Sequence, residues 1–129
     1  MVGIFDKEWM EIDETGGVVK KTVRYTIASD EGSKDMAVEV DISILPGTRY
    51  AQYQDAMVER DAMGEVNINT DAGTTKLISM STGLSMEQVD AIRRKKPMAF
   101  WTGLITVCNE VNSPTSKKVE VEKNVDGQV

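Results

Sequence analysis

No histidine occurs anywhere in the chain, which removes the commonest general base and metal ligand. There is one cysteine, Cys108, so no internal disulfide can form. No base stands near it in the sequence, and it lies in an apolar stretch, so it reads as a small buried hydrophobe rather than a nucleophile. Aromatic residues make up only 5% of the chain, and its unbroken apolar runs are a few residues long, too short to span a membrane. The opening Met1-Val2-Gly3-Ile4-Phe5-Asp6-Lys7-Glu8-Trp9 lacks the basic-then-apolar layout of a secretory signal. A reducing, cytoplasmic setting is expected on those grounds. Positive charge is in deficit as well: the formal charge is -6 and the pI near 4.7. That argues against a general nucleic-acid binder while leaving room for a local basic patch. Glycine-rich phosphate loops are absent. Asn67-Ile68-Asn69-Thr70-Asp71 has the ligand alternation of a calcium loop but lacks the glycine and glutamate at the required offsets. The expectation is a protein with no catalytic residues, no cofactor and no metal.

What is present is enough for one domain. A chain of 129 residues buries roughly two-thirds of its unfolded surface and needs no staple. Residues 1–112 are expected to form a single α+β domain, and 113–129 a flexible polar tail. Val19, Lys21, Val23, Tyr25 and Ile27 alternate with Lys20, Thr22, Arg24 and Thr26; Val38, Val40, Ile42 and Ile44 alternate with Glu39, Asp41 and Ser43. A period of two predicts half-buried strands. Ser29-Asp30-Glu31-Gly32-Ser33-Lys34-Asp35 has turn chemistry, so the pair reads as an antiparallel hairpin, with Arg24 facing Glu39 or Asp41. Residues 8–13 read as a further strand, with a short helix as the competing reading.

Pro46-Gly47 ends the sheet region, and about four helices are expected after it. Tyr50, Tyr53 and Met57 carry helical spacing up to a stop at Gly64, and residues 67–73 read as a loop. Asp71 or Thr74 is expected to cap a short helix carrying Leu77, Ile78 and Met80. Ser85 with Gln88 makes a capping box for the next helix, which ends in Arg93-Arg94-Lys95-Lys96, cations suited to the negative end of the helix dipole. Pro97 then opens a helix over 97–111 that is apolar almost all round. Met98, Trp101, Leu104, Ile105 and Cys108 make one stripe, and Phe100, Val107 and Val111 widen it. Such a helix must be covered by its own domain or by a partner. Its core face is expected to bury Met98, Trp101, Leu104 and Cys108.

Two constellations bear on function. Residues 75–92 have the layout of a DNA-binding helix-turn-helix, with Gly83 at the turn, Ser79 at the crossing, and Ile78, Leu84, Val89 and Ile92 at buried positions. The outward face of the second helix, however, shows Ser85, Met86, Glu87, Asp90 and Ala91. Two acids and no Arg, Lys or Asn make a poor groove reader. The second constellation is Arg93, Arg94, Lys95 and Lys96 beside Met98, Phe100 and Trp101. Trp and Met are enriched at interface centres, which makes these seven residues the candidate partner-binding set.

A sheet-forming N-terminal half, a helical C-terminal half and a polar tail resemble the tail assembly chaperones of long-tailed bacteriophages. The stretch that carries the resemblance is Ser81-Thr82-Gly83-Leu84-Ser85-Met86-Glu87-Gln88-Val89-Asp90-Ala91-Ile92 followed by Pro97-Met98-Ala99-Phe100. That family often shows a Gly-Leu-Ser-x-Glu helix start and a second helix opening on an apolar Met or Phe. The family's link between these helices is usually acidic; here it is Arg93-Arg94-Lys95-Lys96. The resemblance implies a non-enzymatic protein of the bacterial host cytoplasm. Its partners would be the tape measure protein and tail tube subunits, with no specific nucleic acid and no membrane, and with homo-oligomers open. It also implies a longer form made by ribosomal frameshifting, for which Ser116-Lys117-Lys118 is the candidate place. The alternatives are a helix-turn-helix DNA-binding regulator and a structural tail or head-completion protein.

Overall fold

A computed structural model describes residues 3–113. Residues 114–129 of the expected tail, with the frameshift position, fall outside the described residues.

The fold is α+β. An N-terminal antiparallel region is followed by a helical one. A short helix, α1 (Lys7–Glu11), precedes two long strands, β1 (Val18–Ser29) and β2 (Gly32–Ser43), which pair antiparallel along their whole length. Helix α1 replaces the strand expected at 8–13, and none of its residues is buried. The turn between the strands is shorter than the seven residues its composition suggests. Gly32 takes φ +120°, which an L side chain rarely adopts, so the chain reverses across Asp30 and Glu31 and pairing restarts at once. Ser29 Oγ donates to Gly32 O (2.8 Å), and Thr26 Oγ1 donates to Asp35 Oδ1 (2.9 Å) across the pair. Register also corrects the expected ion pairs. Arg24 stands opposite Ala37, while Glu39 faces Thr22 and Asp41 faces Lys20.

Helix α2 (Arg49–Met57) follows Pro46-Gly47 as expected but stops well before Gly64. Beyond it lies a second hairpin, β3 (Val58–Arg60) and β4 (Val66–Ile68). Asp61 closes its turn: the carboxylate accepts the backbone N–H groups of Met63 and Glu65, both at 2.9 Å. Gly64, at φ +82°, serves that turn rather than a helix end. The loop expected over 67–73 is therefore strand, cap and helix. Asn69 caps α3 (Thr70–Thr82) by accepting from Ala72 N (3.1 Å), displacing Asp71 and Thr74 from that role. Helices α4 (Met86–Lys95) and α5 (Met98–Asn112) complete the fold, and the Ser85–Gln88 capping box is formed as expected.

The alternation of β1 and β2 selects one buried face. Val23 and Ile42 are fully buried, with Tyr25, Val38 and Val40 packed around them, while Lys20, Thr22, Arg24, Glu39 and Asp41 stay exposed. Helix α5 lies across this face with Phe100, Leu104, Val107 and Cys108; Ile78 of α3 and Val89 of α4 close the core. The helix comes so near the sheet that a Cβ at Gly103 would stand 2.6 Å from Val23 Cγ1. At its far end Asn112 ties three elements together. Its Oδ1 accepts from Leu45 N (2.9 Å), and its Nδ2 donates to Ser43 O (2.6 Å) and Ser81 Oγ (3.2 Å). These bonds satisfy partly buried polar groups, whose loss of a partner carries a penalty.

Candidate functional site

The buried side of α5 is not the side its strongest apolar stripe indicated. Leu104 and Cys108 are buried, but Met98 is 81% exposed and Trp101 and Ile105 are half-buried. Phe100 and Val107 take the core positions instead, and Phe100 meets the Tyr25 ring edge-on, with centroids 5.4 Å apart. A helix that is apolar on most of its circumference leaves its orientation to the neighbour that approaches closest. Here that neighbour is Val23 at Gly103. Met98, Trp101 and Ile105 are consequently turned toward the flank where α3 and α4 meet α5.

On that flank the three apolar side chains line a cavity of about 330 Å³, together with Asp71 and Thr74 from the first turn of α3 and Arg93 and Lys96 from the end of α4. The α3–α4 connection sets this geometry. Gly83 adopts the left-handed conformation (φ +79°) and its N–H reaches Ser79 O at 2.9 Å, an ordinary helix stop. Ser79 Oγ donates to Leu84 O (2.6 Å), fixing the turn before Ser85 starts α4. At the other end Lys96 N donates to Ile92 O (2.9 Å), and Pro97 O accepts from Phe100 N (3.0 Å) and Trp101 N (3.1 Å). Arg93 and Lys96 of the basic run are thereby placed in the cavity lining, directly before Met98.

The run's charge is unevenly available. Asp90 accepts from Arg93 Nη2 and from Arg94 Nε, both at 2.9 Å, so one carboxylate is shared by two guanidinium groups. Among the described residues Lys95 and Lys96 have no acidic partner. Of the seven candidate residues the structure brings together Arg93, Lys96, Met98 and Trp101. Arg94 and Lys95 lie outside the cavity lining, and Phe100 belongs to the core. Ile105, Asp71 and Thr74 join the site. Ile105 was legible as part of the apolar stripe, but no local pattern links α3's first turn to α5 across more than twenty residues.

A second hollow of about 300 Å³ is bounded by Pro46, Tyr50, Tyr53, Leu77, Met80 and Asn112. Tyr50 and Tyr53 stack there with centroids 6.1 Å apart. Cys108 lies in the core beneath neither cavity. Burial pushes its thiol up to about 12, against a smaller lowering effect of its hydrogen bond with Ser81. It is placed as packing. Among the described residues no helix is long and apolar enough to cross a membrane. No protein-family model matches the chain, and no curated protein or solved structure shows significant similarity to it.

Proposed function

We propose that this protein is a tail assembly chaperone of a long-tailed bacteriophage. It acts by contact in the host cytoplasm, holding the tape measure protein and tail tube subunits before assembly, and it catalyses no reaction. The observation that carries this reading is Met98. It is the apolar residue that opens the second helix of the resembling motif, and it stands 81% exposed at a cavity shared with Arg93, Lys96 and Asp71 instead of in the core. Single exposed apolar residues need no explanation; one that shares a cavity with Trp101 and Ile105 is a docking feature. A long helical partner suits it, because an amphipathic helix can set an apolar anchor on Met98 and Trp101 and place a carboxylate one turn away against Lys96, which has no acidic partner among the described residues. The Gly-Leu-Ser helix start at Gly83-Leu84-Ser85 is built with its cap in place, and it determines where α4 delivers the basic run.

The test is co-expression with the tape measure protein encoded in the same operon, followed by affinity capture through a tag on this chain. Recovery of the tape measure protein by the wild type, lost on Met98→Asp, supports the chaperone. Its absence from the wild-type capture overturns it.

The helix-turn-helix regulator is the second reading, favoured by the tight α3–α4 turn at Gly83. Its chemistry is weak. Glu87 and Asp90 lie along α4, and Asp90 engages the two arginines that a phosphate would need. A duplex DNA shift assay at near-physiological salt should show no sequence-selective complex; a salt-sensitive, selective one would promote the regulator.

A further inference from the structure

The larger sheet stops at two strands. β1 and β2 pair over their whole length, and among the described residues no third strand joins either of them. In an antiparallel pair every second residue turns its N–H and C=O away from the partner, so each strand keeps a row of unused pairing groups on its outer edge. Among the described residues, hydrogen bonds reach the backbone of this hairpin from outside only at one end, around Gly16, Gly17, Ser43, Ile44 and Leu45. The face turned away from the helices is divided by sign. β1 shows Lys20 and Arg24 there, with Thr22 and Thr26 and no acid; β2 shows Asp35, Glu39 and Asp41 and no base. Lys21 and Lys34 alternate to the other face, where Lys21 meets Glu110 at 3.2 Å. Lys20, Arg24, Glu39 and Asp41 are exposed, and among the described residues no ion pair engages them.

Charges at a sheet edge ordinarily keep other strands away. Here each edge repels its own kind. Two β1 edges would bring Lys20 and Arg24 against their copies, and two β2 edges would oppose three acids to three. A β2 edge against a β1 edge is the one combination that sets opposite signs together. These two strand sequences also fit each other, since they pair residue for residue within the chain, with Asp41 opposite Lys20 and Asp35 opposite Thr26. Residues whose peptide groups face out of one pairing are those available to the next, so the same register serves both edges. We infer that the outer edge of β2 takes the outer edge of β1 of a second copy, repeating the register of the hairpin across the seam. The two edges are different surfaces, so copies add in series, as a ring if the rotation closes and as a filament if it does not. α5 lies over β1 and α3 over β2. Two strands advance each copy by about 10 Å, whereas two packed helices occupy roughly 16–20 Å. The copies therefore fan out, with the helices outside and the bare charged face inside. This goes beyond the chaperone reading and stands without it, since it uses neither the cavity on α5 nor a phage partner.

The full chain is followed by sedimentation velocity from micromolar to millimolar concentration, with hydrogen exchange at both ends of the range. Wild type should associate, and association should slow exchange of the β1 and β2 amides. Lys20→Glu/Arg24→Glu makes both edges acidic, and Glu39→Lys/Asp41→Lys makes both net basic. Each variant alone should associate at least about tenfold more weakly. Their equimolar mixture should associate again, and so should the chain carrying all four substitutions, because opposite signs then meet at every seam. All four side chains are exposed, and circular-dichroism melts check folding. The four-substitution chain also restores opposite signs within its own hairpin, so it decides the matter if a two-substitution variant folds poorly. A wild type that is monomeric at every concentration overturns the inference. So does association that survives both charge reversals, a four-substitution chain that stays monomeric, or association with no added protection in β1 and β2. Met98→Asp should associate as wild type does; if it does not, the contact lies at the α5 cavity and the inference fails. Loss of tape measure binding with self-association intact bears on the chaperone reading alone.

Discussion

The two flanks of α5 carry equally apolar residues and have different fates. Phe100, Leu104, Val107 and Cys108 lie against β1 and β2 and are buried; Met98, Trp101 and Ile105, on the same helix, border a cavity. What separates them is the neighbour. The sheet offers a continuous apolar face to one flank, whereas on the other Trp101 and Ile105 pack only partly against the core and share a cavity with the first turn of α3 and the cationic end of α4. The lesson is that apolarity sets the need for cover, and topology decides which flank gets it within the chain.

The largest test of this contrast is Leu104→Ala. The residue is 2% exposed at the centre of the core, so truncation should destabilise the fold by about 2–5 kcal/mol in denaturant unfolding. A negligible change would mean that the buried flank is not core. Gly103→Ala comes next. Its Cβ would fall 2.6 Å from Val23 Cγ1, and overpacking at this closest approach of helix to sheet should cost about 1–3 kcal/mol, with partial recovery on adding Val23→Ala. If the single variant is as stable as wild type, α5 does not lie this close to β1.

The third test uses pH. The ordinary Cys108 value of 9.0 is raised by burial to about 12 in the folded chain. Below 9.0 the thiol is protonated in both folded and unfolded chains, and its contribution is fully present. Between 9.0 and about 12 the unfolded chain has lost the proton that the folded chain keeps, so stability falls as pH rises, by up to about 1.4 kcal/mol per pH unit. Unfolding of Cys108→Ala over the same range should show a shallower decline; identical slopes would mean that the thiol is not buried in the native state. The smallest effect belongs to the other flank. Met98→Ala should change unfolding stability by no more than about 0.5 kcal/mol. A large loss would return Met98 to the core.

Legibility in the sequence followed the strength of local signals. Strict alternation in β1 and β2 gave the buried face residue by residue, because a period of two admits only two assignments. The capping box at Ser85 and Gln88 was equally direct, since its hydrogen bonds run between residues three apart. The second hairpin was not legible. Val58–Arg60 and Val66–Ile68 are too short to establish a period, and their pairing depends on Asp61 accepting two turn N–H groups. The orientation of α5 was hidden for the opposite reason: too many of its positions are apolar for a stripe to stand out. Gly103 was the available signal, a residue with no side chain on a helix that had to pass close to a sheet. Four of the seven lining residues, Arg93, Lys96, Met98 and Trp101, were named from sequence. The cavity itself was not, because it is closed by α3, whose contribution is tertiary.

The docking site proposed for the tape measure protein is the half-covered flank of α5. Isothermal titration of the purified chain with a helical segment of that protein tests it most directly. The wild type should bind, and Met98→Asp should bind at least about tenfold more weakly while its melting curve is unchanged. Equal binding by both proteins, or none by the wild type, would contradict the claim.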